Sequence, residues 1–182
     1  LLHPILLTVA IHTYMLGLGK FLIEAAKRTG ILSRPVSDDE KLGIYKSMRF
    51  YSYPWQLAGL LDLQLMRLPQ TTKHRMAIGA LYEQAFTIHR SNGASLIPYL
   101  RYPVRVQNRD ELLRSAKRKG ILLGTWYSNV IDPKGSSLTA AGYVHGQCPR
   151  AEELAASVCN LPTNVTKHDA RRIIECVLPY IL

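Results

Sequence analysis

The chain has 182 residues, 47% of them hydrophobic, enough for one core or for a small domain with an appendage. Its formal net charge of +10 would suit nucleic acid or an anionic surface, but the basic residues are scattered, and the densest run, Arg114 to Lys119, shares a helix with Leu112, Leu113 and Ala116 as a solvated face does. Cys148, Cys159 and Cys176 have no paired spacing and nothing resembles a signal peptide, which argues for buried, reduced thiols in a cytoplasmic protein.

In chain order, the sequence starts on Leu1, not methionine, and stops on Ile181-Leu182, so both ends read as cut from a longer polypeptide. The first 19 residues, LLHPILLTVAIHTYMLGLG, carry no formal charge and approach the length of a bilayer span. His3, Pro4, Thr8, His12 and Thr13 interrupt them, and they run on into the amphipathic FLIEAAKRTG. The expectation is a helix over 1–29, closed by Gly30, packed against protein and not stably inserted in a membrane. His3 and His12 are too isolated for a metal site. ILSRPVSDDEKLG reads as a loop, and WQLAGLLDLQLMRL (55–68), apolar nearly all round, as a fully buried helix. Pro69 separates it from a second helix over 71–89, whose stripe is Met76, Ala77, Ala80, Leu81, Ala85 and Ile88.

The period then changes. Leu100, Tyr102, Val104 and Val106 alternate with Arg101, Pro103, Arg105 and Gln107, a half-exposed strand that Pro103 places at an edge. Asn108 and Glu111 spell a capping box for the next helix, which Gly120 ends. ILLGTW (121–126) reads as a second strand, followed by a long loop over 127–147. A short helix is fenced by Cys148-Pro149 in front and Leu161-Pro162 behind, with Pro149 in its first turn. The last helix starts at Thr166, boxed by Asp169, and buries Ala170, Ile173, Ile174, Val177, Leu178 and Ile181. No internal repeat or low-complexity tract is present. The order predicts an α+β arrangement with a small sheet covered on one side.

YPVRVQNRDELLRSAKRKGI, GQCPRAEELAASVCNLPTN and DARRIIECVL, in that order and spacing, resemble the C-terminal region of sugar aminotransferases of the DegT/StrS type, pyridoxal-phosphate enzymes of fold type I. Upstream, LQLMRL and KHRMAIGALYEQAF resemble that family's Gln-Leu helix and its Arg-plus-Tyr helix, with Arg75 and Tyr82 in those places. The resemblance covers roughly residues 50–178. It implies a small C-terminal domain over 54–182, with a small antiparallel sheet covered by helices. Residues 1–53 would be a helical segment and loop, an insertion or a linker from a large domain. It further implies that the fenced helix is scaffold, that Glu152 is structural and not a general base, and that the parent is a homodimer. Cys148 has no neighbouring cation or histidine pattern that would make it a nucleophile.

Transamination by pyridoxal phosphate needs a lysine for the Schiff base, an acid opposite the pyridine nitrogen, and phosphate donors. The family's serine-x-x-lysine context is not found here, and Lys20 lies in a helical pattern. The expectation is that no catalytic residue lies in this chain and that the large domain holds most of the cofactor. Where the family carries an Asn-x-Arg pair for the cofactor phosphate, this chain reads MRFYSYPWQ, with Phe50 and Ser52 in place; the hydroxyls of Ser52, Tyr51 and Tyr53 are the candidate cofactor contacts. Where the family reads His-Tyr-Pro-x-Pro-Leu-His, Trp126 and Asp132 replace the histidines and Tyr127 is kept. Trp126, Tyr127 and Asp132 are the candidate substrate contacts. Tyr127 is otherwise a packed strand-end tyrosine, and Asp132, before Pro133, otherwise a turn residue.

The function implied is amino transfer from a donor such as glutamate to a keto-sugar nucleotide, for amino-sugar or surface-polysaccharide biosynthesis. The alternative is a non-catalytic paralogue that keeps the fold for binding or regulation. A nucleic-acid or membrane-surface module would need aromatic and basic residues interleaved on a strand, which this sequence lacks.

Overall fold

The computed structural model describes residues 36–44, 55–86 and 97–182, and single positions at 21, 25, 28 and 29. The chain divides into two units, Leu1–Lys46 and Ser47–Leu182. Of the helix expected over 1–29, positions 21, 25 and 28 are helical, and the rest lies outside the described residues. The first unit holds a helical turn, α1 (Asp38–Lys41), inside the stretch read as loop. The reason is local: Ser37 Oγ accepts the Glu40 N–H, and the Glu40 carboxylate accepts the Ser37 N–H. This capping box stood in the sequence as SDDE. Among the described residues, no helix is long and apolar enough to cross a membrane.

In the second unit α2 (Trp55–Ala85) is one helix of 31 residues that runs through Pro69, where two helices were expected. A proline removes its own N–H bond to the carbonyl four residues earlier. Residues 61–70 are all exposed, so water can reach the freed group. The same exposure corrects the second expectation for this helix. Leu60, Leu61, Leu63, Leu65, Met66 and Leu68 are not buried; Met66 is 74% exposed. The C-terminal half of α2 does enter the core, through Ile78 and Tyr82, and Phe86 just past its end keeps the four-residue spacing. That stripe is rotated from the expected one. Ala77 is exposed, Leu81 and Ala85 are partly buried beside the core, and Ile88 lies outside the described residues. The large rings of Tyr82 and Phe86 bury more apolar area than the alanines could, and they set the face.

β1 (Arg101–Arg105) pairs antiparallel with β2 (Val158–Pro162), with Pro103 opposite Asn160 and Val104 opposite Cys159. Tyr102, Val104 and Val106 are buried as their alternation requires, but Leu100 precedes the strand and is exposed. The second strand was not foreseen at 158–162. The segment expected there, 121–126, contributes a single bridge, Gly124 to Asn160, with N–H···O distances of 2.8 and 2.9 Å. Asn160 spends both backbone groups on Gly124, so Pro103 faces it in a non-hydrogen-bonded pair, where a missing N–H costs the ladder nothing. At the other edge of β1 the chain end closes the sheet, Leu182 N–H donating to Arg105 O and Gln107 N–H to Tyr180 O.

α3 (Arg109–Arg118) buries Leu112 and Ala116 and exposes Arg114, Lys117 and Arg118, the solvated face expected. Its N-cap differs from expectation. Asn108 is left-handed (φ 51°) and its side chain caps nothing; its carbonyl accepts from Glu111 and Leu112 instead. Asparagine tolerates that backbone conformation, which removes the box geometry. Gly120 ends the helix at φ 72° as foreseen. α4 (Pro149–Ser157) has Pro149 in its first turn and stops at the strand, short of Leu161-Pro162. α5 (Lys167–Val177) packs on α2 and α3 and buries Ala170, Ile173, Cys176 and Val177. Thr166 caps it, accepting the Asp169 N–H at 3.1 Å. Leu178 is exposed, and Ile174 and Ile181 are half-buried, because a 3-10 turn (Leu178–Tyr180) follows the helix. The architecture is α+β, helices with a small two-stranded antiparallel sheet.

Candidate functional site

The side chains of Arg101, Pro103 and Arg105, with their partners Pro162, Asn160 and Val158, share the sheet face opposite the Tyr102–Val104 core face. That outer face is where α4 and the loop after Gly124 lie. α4 is pinned to it by an Arg105–Glu153 ion pair and by the Arg109 guanidinium, which donates to Ala155 O and Val158 O. Between α4 and the loop opens a cleft of about 480 Å³. Its loop wall is Trp126, Tyr127, Asn129, Val130 and Asp132; its floor is Ala151, Leu154 and Ala155 of α4 with Val158 of β2. Small apolar groups thus form the base, and two aromatic rings, an amide and a carboxylate form the rim. Such a mixture suits a ring with polar edges. Trp126 is 56% and Tyr127 62% exposed. Neither ring is packed in the core.

The structure brings together the three candidate substrate residues, Trp126, Tyr127 and Asp132. It adds residues that sequence reasoning passed over. Asn160 Oδ1 accepts the Trp126 N–H at 2.6 Å, and the Arg101 guanidinium lies 4.6 Å from the Trp126 ring centroid. A polar residue inside VCNLP and a glycine inside ILLGTW were the available signals; an isolated strand glycine marks close backbone approach. A Cβ at Gly124 would lie 3.0 Å from Arg101 Nη1 and 3.2 Å from Asn160 Cβ.

Glu152 sits beside the cleft as a clamp. Its carboxylate accepts the Tyr143 hydroxyl at 2.5 Å and the Gly146 N–H at 2.6 Å, and Oε2 lies 3.1 Å from His145 Nδ1. The Tyr143 bond, then the Gly146 bond, holds its pKa below the usual range. A carboxylate committed in this way is a poor proton acceptor, in keeping with a structural role. The same bond pushes the Tyr143 phenol up to about 12. Cys159 is buried, and burial pushes its thiol up to about 11; Cys176 is buried too. Cys148 is exposed, against expectation, because it stands at the open N-cap of α4.

The cofactor candidates Ser52, Tyr51 and Tyr53, and Lys20, lie outside the described residues. Among the described residues no lysine lines the cleft. Lys73, Lys117, Lys119, Lys134 and Lys167 are exposed, and Lys41 pairs with Asp38 at 3.6 Å.

Comparison with known proteins places this geometry. No curated protein matches the sequence. Among solved structures, the chain is similar to the X-ray crystal structure of S. venezuelae DesV in complex with a ketimine intermediate, with a TM-score of 0.51 and 26% identity. The likeness covers 65% of this chain and 34% of that one, so the matched part spans about a third of DesV. The profile of the DegT/DnrJ/EryC1/StrS aminotransferase family matches residues 56–178, the whole of the sheet, the cleft and their supporting helices. The chain belongs to the DegT/DnrJ/EryC1/StrS aminotransferase family.

Proposed function

We propose that the chain is the C-terminal part of a pyridoxal-phosphate-dependent aminotransferase acting on keto-sugar nucleotides. It would serve amino-sugar or surface-polysaccharide biosynthesis in the cytoplasm, as a homodimer, with glutamate as a typical donor. The observation that carries the reading is the family match over 56–178, which contains every residue of the cleft. In this reading residues 54–182 are the small domain, and residues 1–53 are an insertion or a linker from a large domain. The leucine-rich, exposed first half of α2 supports it, since a surface so apolar is what a larger fold would cover.

The roles follow from chemistry. Tyr127 stacks on a ring face and donates one hydrogen bond; Trp126 forms an adjoining wall; Asp132 accepts from hydroxyls. Ser52, Tyr51 and Tyr53 contact the cofactor phosphate. The imine-forming lysine belongs to the large domain, and this chain alone is not catalytic. The replaced histidines (Trp126, Asp132) and the missing Asn-x-Arg pair favour the second reading, a non-catalytic paralogue. The full-length polypeptide, incubated with pyridoxal phosphate, glutamate and a panel of keto-sugar nucleotides, decides. Chromatography should find an amino-sugar nucleotide. No product from any member of the panel, with the substrates still bound, would leave the paralogue.

A further inference from the structure

We propose that Arg101 and Asn160 are positioning residues that hold the Trp126 indole as a fixed wall of the cleft. This rests on reading the cleft as a ligand site. Trp126 is more than half exposed on an irregular loop, and nothing in the loop's own sequence would keep its ring in one rotamer. The hold comes from the sheet. Asn160 is 7% exposed and binds the 124–126 segment three times, twice through its backbone to Gly124 and once through Oδ1 to the Trp126 N–H. A buried amide with its acceptor spent on one backbone N–H fixes where the Trp126 Cα stands.

Arg101 then fixes the ring. Its guanidinium lies 4.6 Å from the indole centroid, yet Arg101 is not among the residues lining the cleft. The cation therefore backs the ring and leaves the cleft side for a ligand. Gly124 makes the arrangement possible, because a Cβ there would press on both Arg101 and Asn160. A ring held before the ligand arrives loses less freedom on binding, which is how preorganisation raises affinity. The ligand class is a ring with an apolar face and hydroxyl or amide edges, set by the rings of Trp126 and Tyr127 and the polar ends of Asn129 and Asp132 on the loop wall.

The test uses the full chain with Trp55→Phe, which leaves Trp126 as the single tryptophan of the two in the sequence. Time-resolved fluorescence anisotropy reads local motion of the indole without any ligand. Arg101→Ala should raise the amplitude of the fast component about twofold with an unchanged urea midpoint, as expected on removing a partly exposed cation–π contact. Asn160→Ala should do the same, with Asn160→Asp, which keeps the acceptor, restoring the slow signal. Should Asn160→Ala fail to fold, Arg101→Ala still decides. Unchanged anisotropy in Arg101→Ala overturns the proposal. Titration with UDP-glucose, followed by Trp126 emission, then tests the consequence: the Kd should rise about two- to tenfold in Arg101→Ala, the cost of immobilising one side chain on binding. A looser ring with an unaltered Kd would overturn the positioning role. If the wild-type chain fails to bind the probe, the substrate reading fails, and the anisotropy result stands on its own.

Discussion

Replacing Tyr82 by phenylalanine removes one oxygen from the largest fully buried side chain among the described residues and leaves its ring in place. The hydroxyl donates to Pro162 O at 2.8 Å across 80 residues of sequence, tying α2 to the end of β2. Pro162 pairs with Arg101, two steps from the non-hydrogen-bonded Pro103–Asn160 pair, so its carbonyl points away from β1 and no ladder N–H replaces the phenol. The ring contacts to Phe86 (6.2 Å) and Tyr102 (5.4 Å) survive in phenylalanine, so no cavity opens. What remains is a part-buried acceptor without its donor, a loss of about 0.5–1.5 kcal/mol. For a chain of this size each kcal/mol lowers Tm by about 2–4 °C. Urea unfolding followed by circular dichroism would measure it. An unchanged midpoint would refute the ladder argument, since it would mean that the Pro162 carbonyl finds another partner. Alkali gives a second reading. Burial, then Asp169, raises the phenol's pKa above its ordinary 10.0. A raised pKa means that the contribution is complete below pH 10 and is lost as pH climbs through the folded value. Tyr102, pushed up to about 12 by burial and then by Glu83, behaves likewise. Alkaline destabilisation above pH 10 should therefore be weaker in Tyr82→Phe, but not absent.

Three further outcomes are expected. Thr166→Ala should destabilise the chain by about 1 kcal/mol, as loss of an N-cap does, and an unmoved denaturant midpoint would mean that the bond to the Asp169 N–H carries nothing. Glu152 has a pKa below its ordinary 4.5, so its hold on the loop is present above pH 4.5 and lost as pH falls through the folded value. The protection factor of the Gly146 N–H, its exchange rate relative to an unstructured amide at the same pH, should fall in that window and stay level with pH in Glu152→Gln; protection constant across the window in the unaltered chain would contradict the clamp. Tyr127→Phe should leave stability within about 0.5 kcal/mol, as substitution of an exposed side chain does, while kcat/KM of the full-length polypeptide falls several-fold. Unaltered kinetics with lowered stability would return Tyr127 to a packing role.

The elements legible in the sequence were those whose periodicity and caps agree. Tyr102, Val104 and Val106 alternate inward, Gly120 closes α3, and Thr166 opens α5 where the pattern placed it. The misses have physical causes. VCNLP was hidden because Pro162 reads as a turn, although a proline at a non-hydrogen-bonded position leaves a strand intact. ILLGTW shrank to one bridge, because only Gly124 of that segment pairs with β2, at Asn160. The helix around Leu60–Leu68 shows the limit of pattern reading. An all-round apolar helix announces burial, but not what covers it. Trp126, Tyr127 and Asp132 were candidates through the family's motif, and they line one cleft, whereas Arg101 and Asn160 are distant in sequence and meet only through the β1–β2 register.

If this chain supplies the substrate-facing cleft of an aminotransferase, the cofactor's lysine stands in another part of the fold. The most direct measurement is to incubate the chain with pyridoxal phosphate, reduce with borohydride, and map modified lysines by mass spectrometry, with the full-length polypeptide alongside. The expected result is one stoichiometrically labelled lysine in the full-length polypeptide, outside these 182 residues, and only trace, scattered labelling within them. Stoichiometric labelling of a single lysine inside the chain would contradict it.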